Sequence, residues 1–256
     1  MAASRGSVSI LSTSSAPRSP EDKDGYSSRP AFYGRRRGKT LRRTPRALLD
    51  TLLPRLVIPC PAEGELLDPR ALFPGPVRAV WLEIGFGGGE HLADQALAHP
   101  DVGIIGCEVF LNGIASLLGH VEAKAIDNVR IFPDDARRLF PALPPASMEK
   151  VFLLFPDPWP KKRHAERRFI SPANLDEIAR LLVDGGELRV ASDDSGYVEW
   201  TLRHVGAHAC FAGPDGDPAS WRERPADWPP TRYEAKALGQ GRTPGFLLYH
   251  RRPRTR

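Results

Sequence analysis

Short apolar runs alternate along this chain with longer stretches in which apolar side chains recur every three or four positions. Ala79–Ile84 is a run of strand length without helical period, and residues 90–98 after it read as a helix. Residues 103–108 form a second such run, 112–124 a second helix and 128–132 a third strand. Residues 151–154 suit a buried parallel strand. Ser171 caps a helix over 172–182, with Leu175, Ile178, Ala179 and Leu182 on one face. Asp184-Gly185-Gly186 is expected to end it, residues 187–192 to be the fifth strand and 197–204 the next helix. Residues 245–250 read as a last strand, antiparallel at the sheet edge. Strands alternating with helices predict an α/β fold with a mostly parallel sheet and helices on both faces.

The N-terminal part breaks this pattern. Residues 1–30 are rich in Ser, Gly and Pro and poor in large apolar side chains, so a disordered tail is expected. Residues 1–20, with Arg5 and Arg18 and no acid, also have the composition of an organellar transit peptide. In residues 31–55, Arg35, Arg36, Arg37, Lys39, Arg42, Arg43 and Arg46 are interleaved with Phe32 and Tyr33. That mixture predicts a basic RNA-binding arm, with a merely solubilising tail as the alternative. Prolines recurring between Pro54 and Pro76 suggest a surface crossing into a catalytic domain spanning 56–256.

Charge and cysteine usage narrow the partners. Lys and Arg number 36 against 31 Asp and Glu, a formal charge of +5, and the excess is clustered. This favours an anionic partner, nucleic acid ahead of membrane. Cys60, Cys107 and Cys210 are scattered, which fits neither a disulfide framework nor a zinc site. His204 and His208 have the spacing of a helical metal pair, but Gly206 lies between them and no metal is expected. With no apolar run near the roughly 20 residues of a membrane helix and no secretory signal, the expectation is a soluble, cytoplasmic protein.

Candidate chemistry lies at the strand ends. Gly85-Phe86-Gly87-Gly88-Gly89 joins the first strand to the first helix of the α/β alternation, and Glu83 stands just before it. The spacing is not that of a pyrophosphate loop, and a carboxylate there suits a ligand with an amino group or positive charge, as in S-adenosylmethionine. Glu108 ends the second strand where such folds bind ribose hydroxyls, and Asp134 and Asp135 end the third, within reach of an adenine edge. Asp193 and Asp194 end the fifth, and Thr231-Arg232-Tyr233-Glu234 is a late polar cluster. The stretch from Phe155 to Ile170 places Asp157 between Pro156 and Pro158, followed by Trp159 and then Lys161, Lys162, Arg163, Arg167 and Arg168. Each of these two prolines fixes its own φ and biases the residue before it, Phe155 or Asp157, toward an extended shape, so Asp157 and Trp159 are expected on a stiff backbone beside a phosphate-seeking patch.

From about Ala31 to Arg252 the chain resembles the bacterial tRNA (guanine-N7-)-methyltransferases, which modify guanosine 46 of the variable loop. The resemblance rests on Leu82-Glu83-Ile84-Gly85-Phe86-Gly87, on Phe155-Pro156-Asp157-Pro158-Trp159 with Lys161 and Arg163-His164, and on Thr231-Arg232-Tyr233-Glu234. It implies a Rossmann-like class I methyltransferase fold with S-adenosylmethionine as methyl donor and tRNA as partner. The expectation for assembly, which no motif carries, is a monomer without an obligatory protein partner. It further implies that Glu83, Gly85, Glu108, Asp135 and Asp157 meet the cofactor and that Asp157 is catalytic. Lys161, Asp193 and Thr231 to Glu234 are then contacts to the substrate. Arg232 stands where the family usually has lysine, which keeps the charge but changes how a phosphate is gripped.

Guanine N7 already bears a lone pair, so the implied reaction needs positioning more than a strong base. Trp159 suits either stacking on the base or packing. The rival readings are an exocyclic-amino N-methyltransferase, whose motif would be Asp-Pro-Pro-Trp, a dinucleotide oxidoreductase and a non-catalytic RNA-binding protein of the same fold.

Overall fold

The computed structural model describes residue 34 and residues 36–255. The expectations for residues 1–30, and those for Phe32, Tyr33 and Arg35, lie outside them. Seven strands, β1 (Ala79–Ile84), β2 (Val102–Cys107), β3 (Val129–Phe132), β4 (Met148–Leu154), β5 (Leu182–Ser192), β6 (Phe211–Ala212) and β7 (Gly245–Arg251), form one sheet in the order β3-β2-β1-β4-β5-β7-β6. The pairs from β3 through β5 are parallel, and β7 is antiparallel to both β5 and β6. The helices are α1 (Arg43–Thr51), α2 (Leu53–Leu56), α3 (Glu90–Ala98), α4 (Leu111–Lys124), α5 (Pro172–Leu181), α6 (Ser195–Gly206) and α7 (Arg232–Gly239). Among the described residues no helix is long and apolar enough to cross a membrane.

The period of two along β1 sorts its side chains to two cores. Val80, Leu82 and Ile84 join Leu175 and Ile178 of α5 and Tyr197 of α6. Trp81, on the other face, joins Leu92 of α3 and Ile114, Leu117 and Leu118 of α4. Glu83 falls on the Trp81 side, under α3, a placement that matters for the site.

Three expectations are corrected. β5 begins at Leu182, directly after α5, so Asp184-Gly185-Gly186 lies inside the strand and not before it. Met148 pairs with Leu182 but Lys150 pairs with Glu187, so extra residues bulge from β5, and Gly185 at φ +78° supplies the turn. Next, β7 is not the edge strand, since the two-residue β6 covers its outer side. A very short edge strand limits pairing with other chains. Finally, residues 54–76 are anchored and not merely a surface crossing. Ile58 is 1 % exposed, Val57 bridges to Ile131, and Phe73 fills the space beside Gly103, where a Cβ would lie 2.3 Å from its ring.

The arm also joins the domain. Leu48, Leu49, Leu52, Leu53 and Leu56 recur at helical spacing and pack into the α3–α4 core, so the boundary expected at 55/56 falls inside α2.

Candidate active site

A cavity of about 410 Å³ opens where the chain leaves β1, β2 and β4, the place where the strand order reverses and open α/β sheets hold ligands. Gly85, Gly87, Glu108, Asp135, Leu153 and Asp157 are among the residues lining it. The glycine turn forms one wall. Gly85 has φ +71° and nothing within 4 Å of where a Cβ would stand, so the turn leaves room on that side. On the opposite side the turn is pressed against α4, because a Cβ on Gly113 would lie 2.1 Å from the Gly87 carbonyl oxygen.

Glu108 ties the two loops together. Its Oε2 accepts from Gly87 N–H at 2.8 Å, and Oε1 accepts from Val109 and Phe110 N–H at 2.8 and 2.9 Å. Burial pushes its carboxyl above the ordinary glutamate range, the three N–H groups pull it back, and the Asp157 charge raises it further. Asp135 caps a short 3₁₀ turn and accepts from Arg137 N–H at 3.0 Å and from Arg137 Nε at 2.9 Å. Asp134 accepts from Asp135 N–H, and it pairs with Arg138 and, at 3.4 Å, with Arg36.

Glu83 sits beneath the glycine turn, against His91. It is 3 % exposed, its Oε2 sits 2.7 Å from His91 Nδ1, and it does not line the cavity. The alternation of β1 turns it toward α3, beneath the glycine turn, and not out into the cleft.

Asp157 projects an exposed carboxylate at the cavity mouth, with no hydrogen bond to it among the described residues. The expectation of extended backbone around it is corrected. Phe155 at φ +50° and Trp159 at φ +42°, each preceding a proline, are both left-handed. The bends are held by ring contacts. Phe155 stacks on Tyr233 at 6.2 Å, while Trp159 meets His164 edge-on and lies under the Arg167 guanidinium at 5.0 Å. Trp159 is thus packed by its neighbours on this loop.

The basic run after Asp157 divides. Lys161, Lys162 and Arg163 are exposed around the start of the 3₁₀ turn Lys162–Arg167, whereas Arg168 donates to the carbonyls of Pro158 and Trp159.

In the late cluster, Thr231 caps α7 by accepting from Glu234 N–H at 3.1 Å, and Glu234 accepts from Arg224 Nε at 3.1 Å. Tyr233 reaches over the glycine turn, its hydroxyl 3.0 Å from a Cβ built on Gly87, and it lines the cavity. Arg232 lies over the Tyr233 ring and 3.6 Å from Glu90. Asp193 pairs with Arg242 at 2.9 Å and does not line the cavity.

Two features went unseen in the sequence. His91 bears on Glu83 from across the turn, and nothing in its spacing announces that. The arm docks at the cavity rim: Gly34 lines it, Arg36 O accepts from Leu111 N–H at 3.0 Å, and Asn112 bonds to Gly38 N–H and Lys39 O.

Residues 77–245 match a family model described as "Putative methyltransferase". A tRNA (guanine-N(7)-)-methyltransferase of Rhodospirillum rubrum is 60% identical over 225 residues, covering 87% of this chain and 88% of that protein. The protein of the same name from Paramagnetospirillum magneticum is 58% identical over 235 residues, covering 91% and 98%. The chain belongs to the tRNA (guanine-N(7)-)-methyltransferase family. Among solved structures, an rRNA methylase from Streptococcus thermophilus aligns with TM-score 0.46 and 12% identity, over 68% of this chain and 87% of that one.

Members of a methyltransferase family need a methyl donor, and the residues present fit S-adenosylmethionine. The donor is cationic at sulfur and at its amino group, and Glu108, Asp134, Asp135 and Asp157 line the cavity of this tRNA (guanine-N(7)-)-methyltransferase family member. The open side of Gly85 leaves space for it.

Proposed function

We propose that this chain methylates N7 of guanosine 46 in the variable loop of tRNA, using S-adenosylmethionine. The carrying observation is the open Asp157 carboxylate at the mouth of an acid-lined cavity, flanked by the exposed Lys161, Lys162 and Arg163. The names of the close relatives support the same atom and the same class of RNA.

Glu108, Asp135 and Gly85 would hold the cofactor, with Glu83 adding its charge from beneath the turn. S-adenosylmethionine supplies an electrophilic methyl group and leaves as S-adenosylhomocysteine. Asp157 orients guanine by accepting from its N1–H and N2–H groups, and its charge offsets the positive charge that N7 acquires. No proton has to be abstracted, so the contribution is positioning and electrostatic support. Exposed cations of the arm, Arg37 and Lys39 among them, and those after Asp157 grip the phosphate backbone. Lys161, Asp193 and Thr231 to Glu234 complete the substrate side. Asp193 and Glu234 do so only by exchanging their present partners Arg242 and Arg224. In this reading the protein is a cytoplasmic monomer that needs no protein partner.

Nucleoside analysis of tRNA incubated with the protein and labelled cofactor tests the assignment. Label in 7-methylguanosine supports it, and label on an exocyclic amino group replaces it with the rival chemistry.

A further inference from the structure

Arg168 closes the basic run that reads as phosphate-seeking and lines the cavity, yet its guanidinium is engaged by the carbonyls of its own loop. Nε donates to Pro158 O at 2.9 Å and one Nη to Trp159 O at 3.2 Å, the two carbonyls that follow Asp157. Its face lies 4.6 Å from the centroid of the Trp200 ring on α6, and Trp200 in turn stacks on His204 at 3.8 Å.

The base of this column is itself fixed. Trp200 Nε1 donates to Ile170 O at 2.8 Å, Ile170 N–H donates to the Tyr197 hydroxyl at 3.4 Å, and Asn174 Nδ2 donates to Phe169 O at 2.6 Å. Ile170 and Tyr197 are fully buried. What the column holds is a loop under strain. Trp159, whose carbonyl Arg168 binds, is left-handed at φ +42°, and such conformations persist only where surrounding contacts impose them.

We infer that Arg168, braced on Trp200, is a positioning residue that holds the Asp157 loop in its reactive shape and does not serve as a contact to RNA phosphate. The inference rests on the reading of Asp157 given above. Lys161, Lys162 and Arg163, all exposed on the same run, carry the phosphate contacts instead.

The test is single-turnover methylation at saturating tRNA and cofactor, with the tRNA Kd measured across a salt series. R168K keeps the charge but loses the flat fork that spans two carbonyls. Its rate falls about 10- to 100-fold, the scale of a misplaced reacting group, while the tRNA Kd and its salt slope stay those of the wild type. W200L, which removes the stacking face, lowers the same rate, and W200F, which keeps an aromatic face, stays within about threefold of wild type.

The inference is overturned if R168K reacts at the full rate while R168A binds tRNA more weakly with a salt slope smaller by about one, the signature of a lost phosphate contact. A full rate in W200L overturns it equally, and the W200L and W200F pair decides the matter should R168K lose its fold. Wild-type protein that makes no 7-methylguanosine in tRNA defeats the proposed function itself, and this inference with it.

Discussion

Glu83 and His91 meet 2.7 Å apart beneath the glycine turn, each 3 % exposed, with the His91 ring edge-on against Phe152 at 5.0 Å. A carboxylate so far from water is tolerable only with a partner. Removing the imidazole leaves a buried carboxyl group without its hydrogen-bond partner, so H91A should lose about 1–3 kcal/mol of stability. H91Q, which keeps an N–H donor, should lose much less. Denaturant unfolding of the two variants measures the difference, and equal losses would mean that the ring's packing matters and its hydrogen bond does not.

Asp157 stands apart from Glu83 in being open. D157N keeps the shape and removes the charge, so the single-turnover rate should fall roughly 100-fold, the order expected when an electrostatic partner of the transition state is lost. Cofactor Kd should rise by less than the rate falls, because Glu108, Asp134 and Asp135 still line the cavity. A near-normal rate would end the electrostatic role.

Glu108 gives a pH dependence with a definite sign. Its carboxyl is raised above the ordinary value of 4.5, chiefly by burial, so on acidification it takes up a proton earlier than an exposed glutamate. The protonated form accepts less well from Gly87, Val109 and Phe110 N–H, and cofactor affinity should weaken as pH falls, beginning above pH 4.5. Isothermal titration over a pH series should show this in the wild type, and E108Q should bind weakly with a flatter profile.

Two glycines of α4 make opposite forecasts. Gly113→Ala drives a methyl group into the Gly87 carbonyl, 2.1 Å away, and should cost cofactor affinity by displacing the turn. Gly119→Ala meets nothing within 4 Å and should gain about 0.4–1 kcal/mol from the stiffer unfolded chain. Melting curves with and without cofactor separate the two effects.

The sheet was legible because its strands are short apolar runs set off by Gly and acids, a pattern that local chemistry alone imposes. β1 and α3 fall on the residues their pattern indicates, and β7 extends one residue further. What escaped depends on contacts between distant segments. The leucines from 48 to 56 carried a helical stripe, but the surrounding arginines read as a free arm until α4 supplied the surface to bury it. Likewise, the Asp184-Gly185-Gly186 sequence has the chemistry of a turn, and only pairing with β4 draws it into a strand as a bulge.

The site shows the same division. Glu108, Asp135 and Asp157 come together because strand ends must share one edge of a parallel sheet. The direction in which Glu83 points follows from the alternation of β1, which was available in the sequence. Its partner His91 was not, since it depends on how α3 is rotated over the sheet. The proline after Phe155 argued for extended backbone there, and aromatic packing on Tyr233 prevailed over that local preference.

In the reaction proposed above, this cavity serves one atom of one nucleoside. The most direct measurement gives the purified protein methyl-labelled S-adenosylmethionine and two unmodified tRNA transcripts, one with guanosine and one with adenosine at position 46. Label appearing as 7-methylguanosine in the first transcript and absent from the second is the expected result. Label that persists in the second transcript, or that appears in any other nucleoside of the first, contradicts the account.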